Sequence, residues 1–237
     1  MRLTRRSFFS VAALSPLACS GARTDAIVQD GAPLGPGRHR LGLSNGRDGV
    51  IIVPASYQPS TPSPLIVMLH GAGGTGEGIA SRFGLAEEFG LILLAPDSRS
   101  ERTWDLIMGR FGPDVEFITD AVASIKRRCA IEASHVTIAG FSDGASYALS
   151  YGIGAGDTFS RIIAFSPGLL QPRPAQGKPR IFISHGDADN ILPIDVTSRA
   201  IVPKLKGLGY DVTYQEFQGR HTVPPEVARK AFEWNRA

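Results

Sequence analysis

The sequence is poor in cysteine: Cys19 and Cys129 are the only two in 237 residues. Cys19 falls within an N-terminal stretch that reads as a removable leader, so a processed chain would keep Cys129 alone and could form no internal disulfide. There is no cysteine and histidine cluster with the spacing of a metal site. There is also no dinucleotide fingerprint, and the glycine-rich stretch after Leu69 lacks the Gly-Lys-Ser/Thr ending of a phosphate-binding loop. No metal or cofactor is therefore expected. Neither a solenoid period nor a low-complexity tract is visible. An excess of basic charge is lacking too, because the formal net charge of +3 comes from Arg2, Arg5 and Arg6, and removing residues 1–22 brings it to 0. That balance gives no reason to expect a nucleic-acid partner.

The leader consists of those three arginines, a mostly apolar run from Phe8 to Ala18, and then small residues up to Ala22. The run is too short for a hydrocarbon core of about 30 Å, and Pro16 interrupts it, so residues 1–22 read as an export signal. Arg5-Arg6-Ser7-Phe8-Phe9 resembles a twin-arginine signal. The expected destination is the periplasm or the medium. Membrane attachment is expected only if Cys19 is lipidated; Pro16 stands where lipoprotein signals usually carry an aliphatic residue. Residues 23–37 hold several Gly and Pro without a hydrophobic period and read as a tether, leaving 38–237 as one domain.

Within that domain, an early hairpin is predicted from 39–43 and 49–54 through the turn-prone Ser44-Asn45-Gly46. Short apolar runs follow at 65–69, 91–95, 136–139, 162–165, 181–184 and 212–217, each suited to a strand buried on both faces. Val115, Ile118, Val122 and Ile125 recur at helical spacing, as do Val227, Ala231 and Trp234, and less cleanly Val196, Ala200 and Leu205. Cys129 would close the first of these helices. The alternation predicts an α/β fold, a doubly wound, mostly parallel sheet with an antiparallel start.

Gly140-Phe141-Ser142-Asp143-Gly144 lies directly after one predicted strand and before an apolar helical stretch. A serine on a sharp strand-to-helix turn needs small neighbours, and the following helix directs free N–H groups at the place where negative charge develops. A hydroxyl also needs a base. Of the five histidines, His39 and His135 sit at strand starts on the opposite edge, while His70 and His185 precede glycine and more often shape turns. Only His221 follows the last strand. A carboxylate must hold that base; Asp189 reaches further from strand 181–184 than Asp187, which suits turn capping, and Asp195 ranks third as a helix cap. His70-Gly71-Ala72-Gly73-Gly74 can turn a backbone N–H into the site, with Ala72 as one oxyanion donor and Asp143 as the other.

Together, His70-Gly71-Ala72-Gly73, Gly140-Phe141-Ser142-Asp143-Gly144, Phe165-Ser166-Pro167-Gly168 and His185-Gly186-Asp187-Ala188-Asp189 resemble the phospholipase/carboxylesterase group of α/β-hydrolases, including polyhydroxybutyrate-depolymerase-like esterases. The likeness runs from about Gly49 to the C-terminus. It implies the α/β-hydrolase fold and serine esterase or thioesterase activity on carboxylic esters without metal or cofactor. It also implies Asp189 as the acid and a base in a loop like Gly219-Arg220-His221. The sequence departs from several members at Asp143, where they carry Gln, and a carboxylate there should disfavour strongly anionic acyl groups.

Trp104, in the loop after strand 91–95, is expected to form a wall of the substrate site, with packing of the loop as its other reading. Gly168 to Arg180, with three prolines, leaves no room for a helical lid, so an open site for small esters of short or medium acyl chains is expected. A depolymerase or deacylase acting on polyesters or acylated polysaccharides is the alternative. A non-catalytic binding module or a peptidase ranks lower. The oligomeric state is not legible.

Overall fold

The computed structural model describes residues 31–237; the expected leader, Cys19 and most of the expected tether lie outside that range. The elements are β1 (Gly37–Arg40), β2 (Gly49–Val53), β3 (Ser63–Leu69), α1 (Gly76–Arg82), α2 (Leu85–Glu88), β4 (Ile92–Pro96), α3 (Pro113–Arg128), β5 (Ile131–Phe141), α4 (Asp143–Gly154), β6 (Arg161–Phe165), β7 (Arg180–Gly186), α5 (Ser198–Gly207), β8 (Val212–Phe217) and α6 (Pro225–Arg236). The eight strands form one sheet in the order β1-β2-β4-β3-β5-β6-β7-β8. β1 and β2 pair antiparallel, as do β2 and β4, and every later pairing is parallel.

Alternation along the strands divides the core in two. Leu65, Val67 and Leu69 of β3 face one layer with Ile118 and Ile125 of α3, Ala148 of α4 and Ile201 of α5. Ile66 and Met68 face the other with Ile79 of α1, Ala86 of α2 and Phe232 of α6. This period-2 split is what a sheet covered on both faces requires. Helix α3 starts with Pro113, carries Asp114 and Glu116 in its first turn and Lys126, Arg127 and Arg128 in its last, in keeping with its dipole. Cys129 follows as its buried C-cap. Helix α4 is buried on every side from Gly144 to Ile153 and lies within the core.

The chain departs from the sequence reading at its start. Leu34, inside the expected tether, is buried and donates its N–H to Arg128 O at 3.0 Å. Arg128 Nε in turn donates to Ala32 O at 3.2 Å, so this stretch is pinned to the end of α3. The hairpin turn is wider than Ser44-Asn45-Gly46: the Asp48 carboxylate accepts the N–H groups of Gly42, Leu43 and Ser44 and organises the whole loop.

The order β4-β3-β5 creates the functional position. After β3 the chain crosses to β4 on one side, and after β4 it returns to β5 on the other. The C-terminal ends of β3 and β5 therefore diverge into a crevice, the place where open α/β sheets bind ligands.

Candidate active site

Ser142 occupies the corner between β5 and α4 at φ 58°, ψ −120°, a conformation that costs a non-glycine residue about 1–3 kcal/mol. The surroundings hold it there: its N–H donates to Phe165 O at 2.9 Å, and its carbonyl accepts from the N–H groups of Ala145 and Ser146, both at 3.0 Å. The corner closes only because residue 144 has no side chain. A Cβ on Gly144 would lie 2.4 Å from Leu69 O and 2.5 Å from His70 O. The glycine thus lets the nucleophile helix approach the end of β3, which carries the oxyanion loop.

His221 comes from the loop between β8 and α6. Its Nε2 accepts from the Ser142 hydroxyl at 2.8 Å, and its Nδ1–H donates to Asp189 Oδ2 at 2.6 Å. This arrangement fixes the tautomer, with the proton on Nδ1 and the lone pair on Nε2 facing the serine. The Phe141 ring packs against the His221 ring, centroids 4.8 Å apart. Burial alone would push the Asp189 carboxyl up, but donation from the Leu192 N–H, His221 and the Ile191 N–H holds it below the usual carboxylate range.

The structure separates the three candidate acids. Asp187 accepts the Gly219 N–H at 3.1 Å and so anchors the loop that carries His221. Asp195 pairs with Arg199 one helical turn away on the surface. Asp189 alone reaches the histidine.

At the end of β3, the Gly73 N–H donates to Arg102 O at 2.7 Å and bends the loop, and Gly71 comes so near the nucleophile that a Cβ on it would lie 3.3 Å from Ser142 Cβ. Asp143 supplies the first N–H of α4, which has no acceptor within its own helix. The Asp143 carboxylate is turned aside and accepts from Thr103 Oγ at 2.6 Å.

Trp104 is a correction. It is fully buried and forms no wall of an open site. Its Nε1–H donates to His70 O at 2.8 Å, and its ring packs against His70 and Tyr147. An indole whose N–H finds a buried carbonyl gains from going inward, so this loop is fastened beneath the site.

Sequence reasoning missed two supports. Arg47 bridges three segments, donating to Ser98 O at 2.6 Å and to Gly74 O at 2.9 Å, with His70 between them. His70 Nδ1–H donates to Gly71 O at 2.7 Å while Nε2 accepts the Ser98 N–H at 3.0 Å, so the ring is neutral and braces the oxyanion loop. No local motif marks Arg47. The other support is His185, whose Nε2 lies 3.1 Å from Asp189 Oδ2; its spacing of four from the acid was a usable signal. No helix spans residues 166–179, and the side-chain hydroxyls of Ser146 and Ser150 pin that segment to α4 by accepting the N–H groups of Gly168 and Gln171.

Comparison with known proteins agrees with this geometry. Feruloyl esterase C from Emericella nidulans is 29% identical over 161 residues, covering 64% of this chain and 58% of the relative, so the chain spans about three fifths of that protein's length. Acyl-protein thioesterase 1 from Gibberella zeae is 25% identical over 222 residues, covering 78% of this chain and 93% of the relative. Among solved structures, esterase PE8 superposes with a TM-score of 0.66 at 23% identity, over 79% of this chain and 97% of the other. A phospholipase/carboxylesterase from Dyadobacter fermentans does so with a TM-score of 0.60 at 23% identity, over 81% and 98%. Both structural likenesses show the α/β-hydrolase fold. The phospholipase/carboxylesterase family model matches residues 114–234, half of the chain and the part that carries Ser142, Asp189 and His221. The chain belongs to the phospholipase/carboxylesterase family.

Proposed function

We propose that the protein is a serine hydrolase of carboxylic esters that works through an acyl-enzyme. The observation that carries this reading is the continuous chain from Asp189 through His221 to Ser142, at 2.6 and 2.8 Å; the Ala72 and Asp143 N–H groups are the oxyanion donors this reading assigns. Ser142 Oγ attacks the ester carbonyl as His221 Nε2 takes the hydroxyl proton, and the two N–H groups hold the oxyanion. Collapse breaks the C–O bond to the alcohol, which leaves with the proton from His221. Water then attacks the acyl carbon as His221 takes its proton, the bond from that carbon to Ser142 Oγ breaks, His221 returns the proton to Oγ, and the carboxylic acid departs. Asp189 holds the ring in its tautomer and stabilises the imidazolium throughout.

The segment 166–179, irregular and held down on α4, supports an open site and short to medium acyl chains. The leader at residues 1–22 supports export, to be tested by fractionating cells that express the full chain. The test of activity is hydrolysis of p-nitrophenyl esters from acetate to palmitate, beside Ser142→Ala. Turnover that peaks at short chains and vanishes in the variant is expected; turnover that survives Ser142→Ala overturns the reading.

A further inference from the structure

A cleft of about 260 Å³ is lined by Phe141, the residue before the nucleophile, and by Gly71, where a Cβ would lie 3.3 Å from Ser142 Cβ. Its floor and walls come from the oxyanion loop, Ile79 of α1 and Phe141, and Arg82 stands at its edge. Arg82 is exposed, its guanidinium lies 5.7 Å from the centre of the Phe141 ring, and no carboxylate pairs with it among the described residues. No acidic side chain lines the cleft. Of the two acids nearest in sequence, Glu77 is engaged by Arg38 at 2.7 Å and Glu87 accepts the Ala55 N–H at 2.9 Å. The cleft is therefore a slot walled by the backbone of the oxyanion loop, Ile79 and the Phe141 ring, with the unpaired Arg82 guanidinium among its lining groups.

Its position relative to the chemistry assigns it a role. The Phe141 ring that lines the cleft also packs on His221, and His221 Nε2 must hand its proton to the departing alcohol. The alcohol portion of an ester therefore lies toward Phe141. Across Ser142, the Thr103 and Asp143 side chains form no part of the cleft.

We infer that this cleft is a leaving-group subsite for esters of carboxylate-bearing alcohols, with Arg82 receiving the carboxylate and Phe141 the carbon skeleton. The inference rests on the proposed hydrolase activity and adds the substrate class. A planar guanidinium binds a carboxylate through two parallel N–H bonds, which makes it selective for an anion at a defined distance from the scissile bond.

The test compares 4-acetoxybenzoate with its methyl ester, a pair that differs only in the charge at the far end of the leaving group. The quantity read is the ratio of their kcat/KM values. Arg82→Ala should lower that ratio about five- to tenfold, the size of one charge-assisted contact in a partly open cleft. Arg82→Glu should lower it further and Arg82→Lys should restore part of it. In the wild type the ratio should fall as salt is raised, because screening acts over about 8 Å at physiological ionic strength. An unchanged ratio in Arg82→Ala overturns the inference. So does a selective loss on p-nitrophenyl hemisuccinate, which carries its charge on the acyl side. Ser142→Ala separates the two levels: Ser142-dependent turnover with an Arg82-independent ratio defeats only the subsite, whereas Ser142-independent turnover defeats the hydrolase itself.

Discussion

Asp189 holds a second imidazole besides that of His221: His185 Nε2 lies 3.1 Å from the same Oδ2 that accepts from His221. His185 Nε2 also faces Leu192 O at 2.8 Å, and its Nδ1 lies 2.7 Å from Ser198 Oγ. With two acceptors in front of it, Nε2 carries the proton, and Nδ1 accepts from the serine hydroxyl. Burial pushes the pKa of His185 down, so the ring remains neutral, with its Nε2–H given to Leu192 O and its edge against the Asp189 carboxylate.

His185 is thus a positioning residue, and His185→Phe separates that role from simple packing. Loss of this contact with the carboxylate should cost about tenfold in kcat/KM, or about 1.4 kcal/mol. The fall should lie in kcat, with KM nearly unchanged. A loss of Tm with kcat unchanged, or a fall carried by KM, would reduce His185 to a packing residue.

Stability should fall on mild acidification. Burial lowers the pKa of His70, His135 and His185 in the folded protein. The unfolded chain titrates its imidazoles near about 6.5 and there takes up protons that the fold refuses. The contribution of these groups is therefore complete above that pH and is lost as pH falls through it, by up to about 1.4 kcal/mol per unit for each histidine. Asp114, pushed up by burial, acts in the opposite sense, but it is one group against three. The urea midpoint should be lower at pH 5.5 than at pH 7.5; an equal or higher midpoint would contradict the buried neutral assignments.

What could be read in advance follows from how local each signal is. The parallel strands were legible because residues buried on both faces form continuous apolar runs, as in Leu65 to Leu69. The elbow and its two partners were legible because each lies at a strand's C-terminal end with glycine beside it. Helices α1 and α2 were not: Gly76–Arg82 contains two glycines, and only Ile79 and Ala80, with Phe83 just beyond, provide an apolar face. Tertiary packing fixes that helix rather than its own periodicity. His185 read as a turn former because it precedes glycine at a strand end; its spacing of four from Asp189 was a usable signal that went unread. Leu34 was lost in a Gly and Pro background, although a single buried leucine was enough to dock the segment.

Trp104→Phe distinguishes the two readings of that residue. The variant keeps a large ring but leaves His70 O without its donor in a buried setting, which should cost about 1–3 kcal/mol. A Tm several degrees lower with the same acyl-chain profile is expected. A changed chain-length preference at unchanged Tm would return the indole to the substrate site.

Gly144→Ala should be among the most damaging single changes in the protein. The added methyl would meet two backbone carbonyls, those of Leu69 and His70, at 2.4 and 2.5 Å, and backbone cannot rotate away as a side chain could. Either the end of β3 moves, displacing Ala72, or α4 moves, displacing Ser142. Activity should therefore fall by more than stability accounts for, and fluorophosphonate labelling of whatever folded protein remains should slow with it. Wild-type labelling and kcat in the variant would show that the close approach does not hold the site.

The departure at Asp143 carries the last prediction. If its backbone N–H is the oxyanion donor proposed above, the side chain is free to vary without removing that donor, but it leaves a carboxylate beside Thr103, and the prediction takes that pair to lie on the flank away from His221. An acyl group lies on that flank if the alcohol lies toward Phe141. Repulsion between Asp143 and an acyl carboxylate should then make uncharged acyl esters better substrates than succinyl esters of the same alcohol. Asp143→Asn keeps the size of the side chain, its N–H and a partner for Thr103 while removing the charge. It should raise the succinyl-to-butyryl ratio of kcat/KM about threefold to tenfold at low salt, and less at high salt. Were the wild type to prefer succinyl esters, or the ratio to stay fixed in Asp143→Asn, the Asp143 carboxylate would have no part in acyl selection and its hydrogen bond to Thr103 would be purely structural.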